Sequence, residues 1–274
     1  MKRMTVQTKV CATINKFSIG DGINCIEELN MGITDKELEF YETNGYLLKK
    51  ELVSSEDIES ILVEIDDIHN RMAEKPAEGI GISWEVYDDP DHPPLIKQLM
   101  HSERVSPTLN KLLRSDAVLD VLEGMMGPDI SLFHSKLLPK AGGDGTAIPW
   151  HQDYAYWKND SNKPVMINCQ LAISEANLEN GCIQFVPGSH NWGLQEHERK
   201  HQTFGVFLPG HYQEREDAVA VEMEPGDGVF FNALIIHGSA PNISKKDRLM
   251  NTFAYNVTGN GTTQSREVLR GKEA

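Results

Sequence analysis

The chain has 274 residues, 39% of them hydrophobic, enough for one large domain, and it contains no apolar run near the length of a membrane span. Lys and Arg number 26 against 41 Asp and Glu, and the net charge of −15 argues against nucleic acid or anionic membranes as partners. The same balance favours a neutral or cationic small-molecule substrate over a coenzyme A thioester, whose phosphates ask for a basic collar. No apolar segment follows the basic start Met1-Lys2-Arg3, and Cys11, Cys25, Cys169 and Cys182 show no CxxC spacing. Free thiols and a cytoplasmic setting are therefore expected.

Residues 1–30 lack sustained periodicity and read as a loosely ordered arm. Residues 31–274 read as a single domain, with a helical part over 31–128 and a strand-rich part over 129–258. Thr34-Asp35-Lys36-Glu37 is a capping box that predicts a helix to about Thr43, closed by Asn44-Gly45 and followed by a short strand Tyr46-Leu47-Leu48. Ser54 opens a second helix, in which Ile58, Ile61, Leu62, Ile65, Ile68 and Met72 repeat at the helical period. Residues 76–95 form a long Pro-, Gly- and Asp-rich loop carrying Trp84, Glu85 and Tyr87, and a loop of that length is a candidate lid. A third helical zone covers 106–126 and ends at Gly127-Pro128. Strands are then predicted over 130–138, 148–153, 165–173, 182–187, 218–223, 228–231, 234–238 and 248–256. About eight short strands separated by turns suggest a jelly roll, mainly β, with the N-terminal helices packed on one sheet.

The chemistry centres on His151-Gln152-Asp153, His237 and Arg248. In a strand, residues i and i+2 share a face, so His151 and Asp153 can reach one metal ion. Two imidazoles and a carboxylate make the facial triad of a non-haem Fe(II) oxygenase, with open positions for a bidentate 2-oxo acid and for dioxygen. Alone, a His-x-Asp pair reads equally well as a core histidine bonded to aspartate. The context shifts the balance. His237 ends the apolar run Val229–Ile236, as a buried strand delivering one polar group would, and Arg248 opens the next strand. A buried guanidinium needs a partner, either an internal salt bridge or the remote carboxylate of 2-oxoglutarate.

On strand 130–138, Phe133 and Ser135 alternate with His134 and Lys136, so one pair faces the cavity; Phe133 and Lys136 are candidate cosubstrate contacts. Trp84 and Glu85 from the early loop, Tyr154 and Trp157 just after the ligands, and Asn168 are candidate substrate contacts. Glu85 or Asp88 would suit a guanidinium. Tyr156 is a further aromatic beside the ligands. His197, His201 and His211 lie in a polar insertion and read as solvated or lid residues, not ligands.

Several stretches together resemble the phytanoyl-CoA dioxygenase-like family of Fe(II)/2-oxoglutarate oxygenases. They are Phe40–Tyr46 (FYETNGY), Trp150–Asp153 (WHQD), Asn180–His190 (NGCIQFVPGSH), Pro225-Gly226-Asp227, His237-Gly238-Ser239 and Arg248. The resemblance implies a double-stranded β-helix, the cupin-like jelly roll, with His151, Asp153 and His237 as iron ligands. It also implies Arg248 and Ser239 as the anchor of the cosubstrate carboxylate. Gln170 stands where some members place a Trp beside 2-oxoglutarate. Halogenating relatives lack the carboxylate ligand, so Asp153 points to oxidation. Fe(II), 2-oxoglutarate and O2 are thus the implied cofactors, and the implied reaction couples release of succinate and CO2 to hydroxylation of a C–H bond. Overall likeness, without a motif, is to hydroxylases that complete the guanidine alkaloid cylindrospermopsin. Desaturation, epimerisation or acyl-CoA hydroxylation on the same cofactors, and a non-catalytic metal-binding jelly roll, are the alternatives.

Overall fold

A computed structural model describes residues 32–75, 78–85, 91, 94–198, 205–212, 215–261 and 267–272. The arm assigned to 1–30, and with it Cys11 and Cys25, lies outside the described residues, as do Tyr87, Asp88 and His201.

The capping box forms as its residues dictate. Thr34 Oγ1 accepts from Glu37 N–H while the Glu37 carboxylate takes the Thr34 N–H at 2.8 Å, and α1 runs Asp35–Asn44. Gly45 closes it at φ 85°, a left-handed conformation, and a Cβ there would lie 2.4 Å from His190 Nδ1. Only glycine fits both demands. The chain then enters β1 (Tyr46–Lys49), and α2 follows over Ser55–Glu74 with Ser54 as its N-cap. Ile58, Ile61, Ile65, Ile68 and Met72 of α2 are buried, whereas Leu62 faces solvent. One strand, β2 (Ile82–Trp84), interrupts what reads in the sequence as loop over 76–95, and another, β3 (Ile96–Met100), follows directly where no element is predicted. The third helical zone is two helices, α3 (Pro107–Leu112) and α4 (Asp116–Met126). Ser115 breaks it, donating its N–H and hydroxyl to Leu112 O and taking an extended backbone before Asp116. A second N-cap signal is hidden there inside a continuous apolar pattern.

The strand-rich part adds β4 (Ile130–Lys140), β5 (Ile148–His151), a single-turn helix α5 (Tyr154–Trp157), β6 (Ile167–Ala172), β7 (Ile183–Phe185), β8 (Val219–Ala220), β9 (Gly228–Asn232), β10 (His237–Ser239), β11 (Arg248–Val257) and β12 (Val268–Arg270). They form two antiparallel sheets. The larger is ordered β1-β9-β6-β11-β4-β3-β2 with β12 also on β4, and the smaller is β5-β10-β7-β8. This is the expected mainly β jelly roll. Alternation along the large sheet decides which side faces what. Leu137, Cys169, Leu171, Phe230, Phe253 and Tyr255 meet the helices, packing on Ile61, Ile68, Leu113 and Leu122. Leu138, Ala172, Met250, Val229 and Phe231 instead face the small sheet and pack on Ile183, Phe185 and Val221. The inner face carries polar groups where the apolar row is interrupted, among them Asn168, Gln170, Arg248, Thr252 and Lys140. Among the described residues, no helix is long and apolar enough to cross a membrane.

Candidate active site

His151 is the last residue of β5 and His237 the first of β10, and the two are direct cross-strand partners. Their rings lie 4.2 Å apart between centroids. Position 237 comes from a turn, not from one long buried strand. β9 ends at Asn232, whose side-chain oxygen accepts the Leu234 N–H at 2.8 Å, and the chain crosses to the small sheet before His237. The apolar run Val229–Ile236 thus spans a strand and a crossover.

Asp153 also departs from the expected strand geometry. β5 stops at His151, and Asp153 has φ −57° and ψ −34°, opening α5. Tyr154 N–H donates to Ala233 O at 2.9 Å, in the crossover before His237, and so draws the chain out of the sheet. The turn brings the Asp153 carboxylate to 3.7 Å from Nε2 of each histidine, one oxygen to each ring. One ligand atom from each of the three residues lies within 4.8 Å of the others.

The protonation states suit a divalent metal. His151 Nδ1 lies 2.8 Å from Pro149 O and His237 Nδ1 3.0 Å from Ile235 O. A carbonyl only accepts, so each Nδ1 carries the proton and each Nε2 presents a lone pair toward Asp153. Burial, reinforced by the neighbouring His151, lowers the His237 imidazole to about 3, so it stays neutral. Burial alone would raise Asp153; Lys136 and the two histidines outweigh it and hold the carboxyl well below its usual range. Asn168 Nδ2 donates to Asp153 Oδ2 at 2.9 Å, which makes Asn168 a positioning group for the carboxylate, while its Oδ1 is buried without a partner. Gln152, fully buried between the ligands, ties Gly193 O, Leu234 O and Gln195 N to the ligand loop. His197 accepts the Gln152 N–H through Nε2 at 3.0 Å, a buttress to the ligands.

Two measurable consequences follow. Asn168→Leu removes the hydrogen bond that aims Asp153, and Fe(II) affinity is expected to fall by roughly 10- to 100-fold in a competitive chelator titration; an unchanged affinity would remove that role. The metal-free protein should also lose stability in acid. Unfolded His237 takes a proton near pH 6.5 and the folded one only near 3, so between these values the unfolded state binds the extra proton. Stability then declines with falling pH by up to about 1.4 kcal/mol per unit. Urea midpoints between pH 7 and 5 measure this, and His237→Gln should flatten the slope.

A second polar centre lies on the same inner face. Arg248 is 3% exposed and Lys140 2%, and they are register partners across β11 and β4. Arg248 donates to Gly181 O at 2.6 Å and more weakly to Leu138 O at 3.4 Å, while its Nε is buried without a partner. Lys140 Nζ donates to Ser239 Oγ at 2.7 Å and to Ala240 O. Among the described residues no carboxylate lies within ion-pairing distance of either cation, so the internal salt bridge is absent. Burial lowers Arg248 to about 10, and burial with the adjacent Arg248 charge lowers Lys140 to about 6. Gly181, at φ 74°, allows this approach, since a Cβ there would lie 2.3 Å from Ala240 O. A buried guanidinium beside a hydroxyl and a buried amine that an incoming anion would keep protonated fits one carboxylate of a dianion. Lys140 escapes sequence reasoning because the predicted strand stops at Leu138.

The remaining candidates divide. Gln170 Nε2 donates to Thr252 Oγ1 at 3.1 Å, and its Oε1 is buried without a partner between the two centres. Strict alternation would put Phe133 with Ser135, but the β4–β11 register slips between Ala254 and Tyr255, so Phe133 joins His134 and Lys136 on the Trp157 side. Ser135 faces away, toward Ser102 and Glu103. Trp157 lies beneath Lys136, with Nζ 5.4 Å from the ring centroid. Tyr154 is turned under the neighbouring loop, its hydroxyl on Ser161 O at 3.2 Å, and does not line the pocket. Tyr156 stands edge-on to His151 and its hydroxyl holds Val206 O. Trp84 packs on the helix-side core, which removes it as a lid contact. Glu85 is engaged by Lys97 at 3.2 Å and by Thr146 Oγ1 at 2.9 Å, so its charge is not free for a cationic substrate.

Non-haem Fe(II)/2-oxoglutarate dioxygenases combine these parts: two imidazoles and a carboxylate inside a jelly roll, with a buried cationic carboxylate anchor beyond them. Residues 41–250 match the phytanoyl-CoA dioxygenase (PhyH) family, and the chain belongs to it. It is 27% identical over 239 residues to the ectoine dioxygenase of Bordetella parapertussis, covering 82% of this chain and 75% of that one. It is 30% identical over 231 residues to the peroxisomal phytanoyl-CoA dioxygenase of Mus musculus, covering 78% of this chain and 65% of that enzyme. The fold is similar to the crystal structure of EctD from S. alaskensis with 2-oxoglutarate and 5-hydroxyectoine, with a TM-score of 0.68 at 20% identity, covering 85% of this chain and 79% of that one.

Proposed function

We propose that the chain is a hydroxylase of a small molecule in natural-product biosynthesis, in which His151, Asp153 and His237 hold Fe(II). Arg248, Lys140 and Ser239 hold the distal carboxylate of 2-oxoglutarate. The observation that carries this reading is the pairing of the two centres on one inner face. A donor set of two imidazoles and a carboxylate, with both Nδ1 protons tied down, stands beside the buried Arg248 guanidinium and Lys140 amine, neither ion-paired to a carboxylate among the described residues. Bound iron with 2-oxoglutarate and dioxygen supplies the oxidising chemistry.

The protein's own groups supply placement. Asn168 orients Asp153, the carbonyls of Pro149 and Ile235 fix both imidazole tautomers, and Gln152 braces the ligand loop against the 193–197 segment. Gln170 flanks the path between the two centres, where it fills space that water would otherwise take.

The named relatives include an enzyme acting on ectoine, a small polar metabolite, which supports a substrate of that size. Likeness to the enzymes completing cylindrospermopsin makes 7-deoxy-cylindrospermopsin the candidate substrate. Incubation with Fe(II), 2-oxoglutarate, air and that compound is expected to give one equivalent of succinate per oxygenated product, read by mass spectrometry. Succinate release that the compound fails to stimulate would exclude it as substrate.

A further inference from the structure

The overall charge of −15 suggests a neutral or cationic substrate, yet the metal-facing surface points the other way. Lys136 projects from β4 on the same side as His134, with its side chain 17% exposed. Its Nζ stands 3.8 Å from Asp153 Oδ1, beyond hydrogen-bonding reach, and the ammonium donates no hydrogen bond to any described residue. Beneath it lies the Trp157 ring, itself 5% exposed, with the Phe133 and His134 rings 5.2 and 5.3 Å from that indole. A mostly buried ammonium that makes no hydrogen bond to a described residue and rests on an aromatic floor is placed to meet an acceptor.

Three groups can be set aside as that acceptor. Asp153 is a proposed metal ligand, and its other oxygen is held by Asn168. Glu85 is matched by Lys97 and Thr146. The distal carboxylate of the cosubstrate is remote, because Lys136 pairs with Thr252 whereas Lys140 pairs with Arg248. The two lysines are four strand positions apart, about 13 Å along β4, with the Gln170–Thr252 hydrogen bond near the Lys136 end.

We propose that Lys136 is a specificity residue that receives an anionic group of the primary substrate, a carboxylate, sulfate or phosphate oxyanion, and thereby orients the substrate over the metal face. The inference rests on the oxygenase reading. It names a substrate class that the chain's net charge hides, because the metal face carries a cation whose one carboxylate partner, Asp153, is 3.8 Å away and is itself a proposed metal ligand.

The test uses full-length protein loaded anaerobically with Fe(II) and 2-oxoglutarate, titrated at constant ionic strength with acetate, inorganic sulfate and inorganic phosphate. Tryptophan fluorescence and the visible band of the iron–cosubstrate chelate report binding. At least one anion is expected to bind saturably, to lose more than about tenfold in affinity in Lys136→Met, and to regain most of it in Lys136→Arg. The anion that binds most tightly identifies the oxyanion. Affinity for 2-oxoglutarate should stay within about threefold in both variants, each checked for native circular dichroism. Three results would overturn the proposal: no saturable anion binding by the parent protein, anion binding that survives Lys136→Met, or a loss of 2-oxoglutarate affinity equal to the anion loss. Absence of the chelate band in the parent protein would instead strike the oxygenase reading itself.

Discussion

Arg248→Met is expected to weaken 2-oxoglutarate binding by at least about 30-fold while leaving the fold intact. The two effects separate because the guanidinium is a burden to the empty protein. It is 3% exposed, its Nε has no partner, and its charge also holds the neighbouring Lys140 amine down to about 6. Replacing it with an apolar side chain of similar length removes that desolvation penalty and costs only the bonds to Gly181 O and Leu138 O. Thermal stability without cosubstrate should therefore hold or rise. Arg248→Lys keeps the charge but loses the two-pronged grip, and should fall between the parent and the methionine variant. Calorimetric titration of 2-oxoglutarate into metal-loaded protein measures all three. Equal affinity in parent and methionine variant would mean that the dianion binds elsewhere.

Asp153→Ala has the other large effect. The carboxylate sends one oxygen toward each histidine at 3.7 Å, and without it two imidazoles remain beside the Lys136 ammonium with no anionic ligand. That arrangement repels a divalent cation. Fe(II) affinity is expected to fall by more than the roughly 100-fold that loss of an outer partner causes, and succinate formation should become undetectable. Asp153→Glu should not restore it, because the added methylene moves the oxygens out of a position set by the Tyr154–Ala233 hydrogen bond. A metal-binding isotherm that survives Asp153→Ala would place the iron elsewhere.

Much of this was legible in the residues because local chemistry and tertiary structure agree. The capping box at Thr34 and the period of α2 each follow from local spacing. The His151–Asp153 pair was found for a reason the structure replaces. Period-two alternation predicts a shared strand face, whereas a tertiary hydrogen bond from Tyr154 to Ala233 turns Asp153 into a helical conformation that still converges on His151. Phe133 reached the metal side through a register slip that alternation cannot anticipate. Lys140 lay one residue past a proline that seemed to end its strand, and its meaning appears only when β11 sets Arg248 opposite it. Glu85 looked available for a cation until β3, absent from the predicted elements, supplied Lys97. These misses share a physical origin: each depends on a partner far away in sequence, which local pattern does not encode.

The central claim is that one inner face of this jelly roll holds Fe(II) and 2-oxoglutarate together. Anaerobic addition of Fe(II) and then 2-oxoglutarate, followed by visible absorption, tests it directly. The expected result is a weak charge-transfer band that saturates with cosubstrate, is lost in Asp153→Ala and needs far more cosubstrate in Arg248→Met. A featureless spectrum for the parent protein, with both components in excess, would contradict the claim.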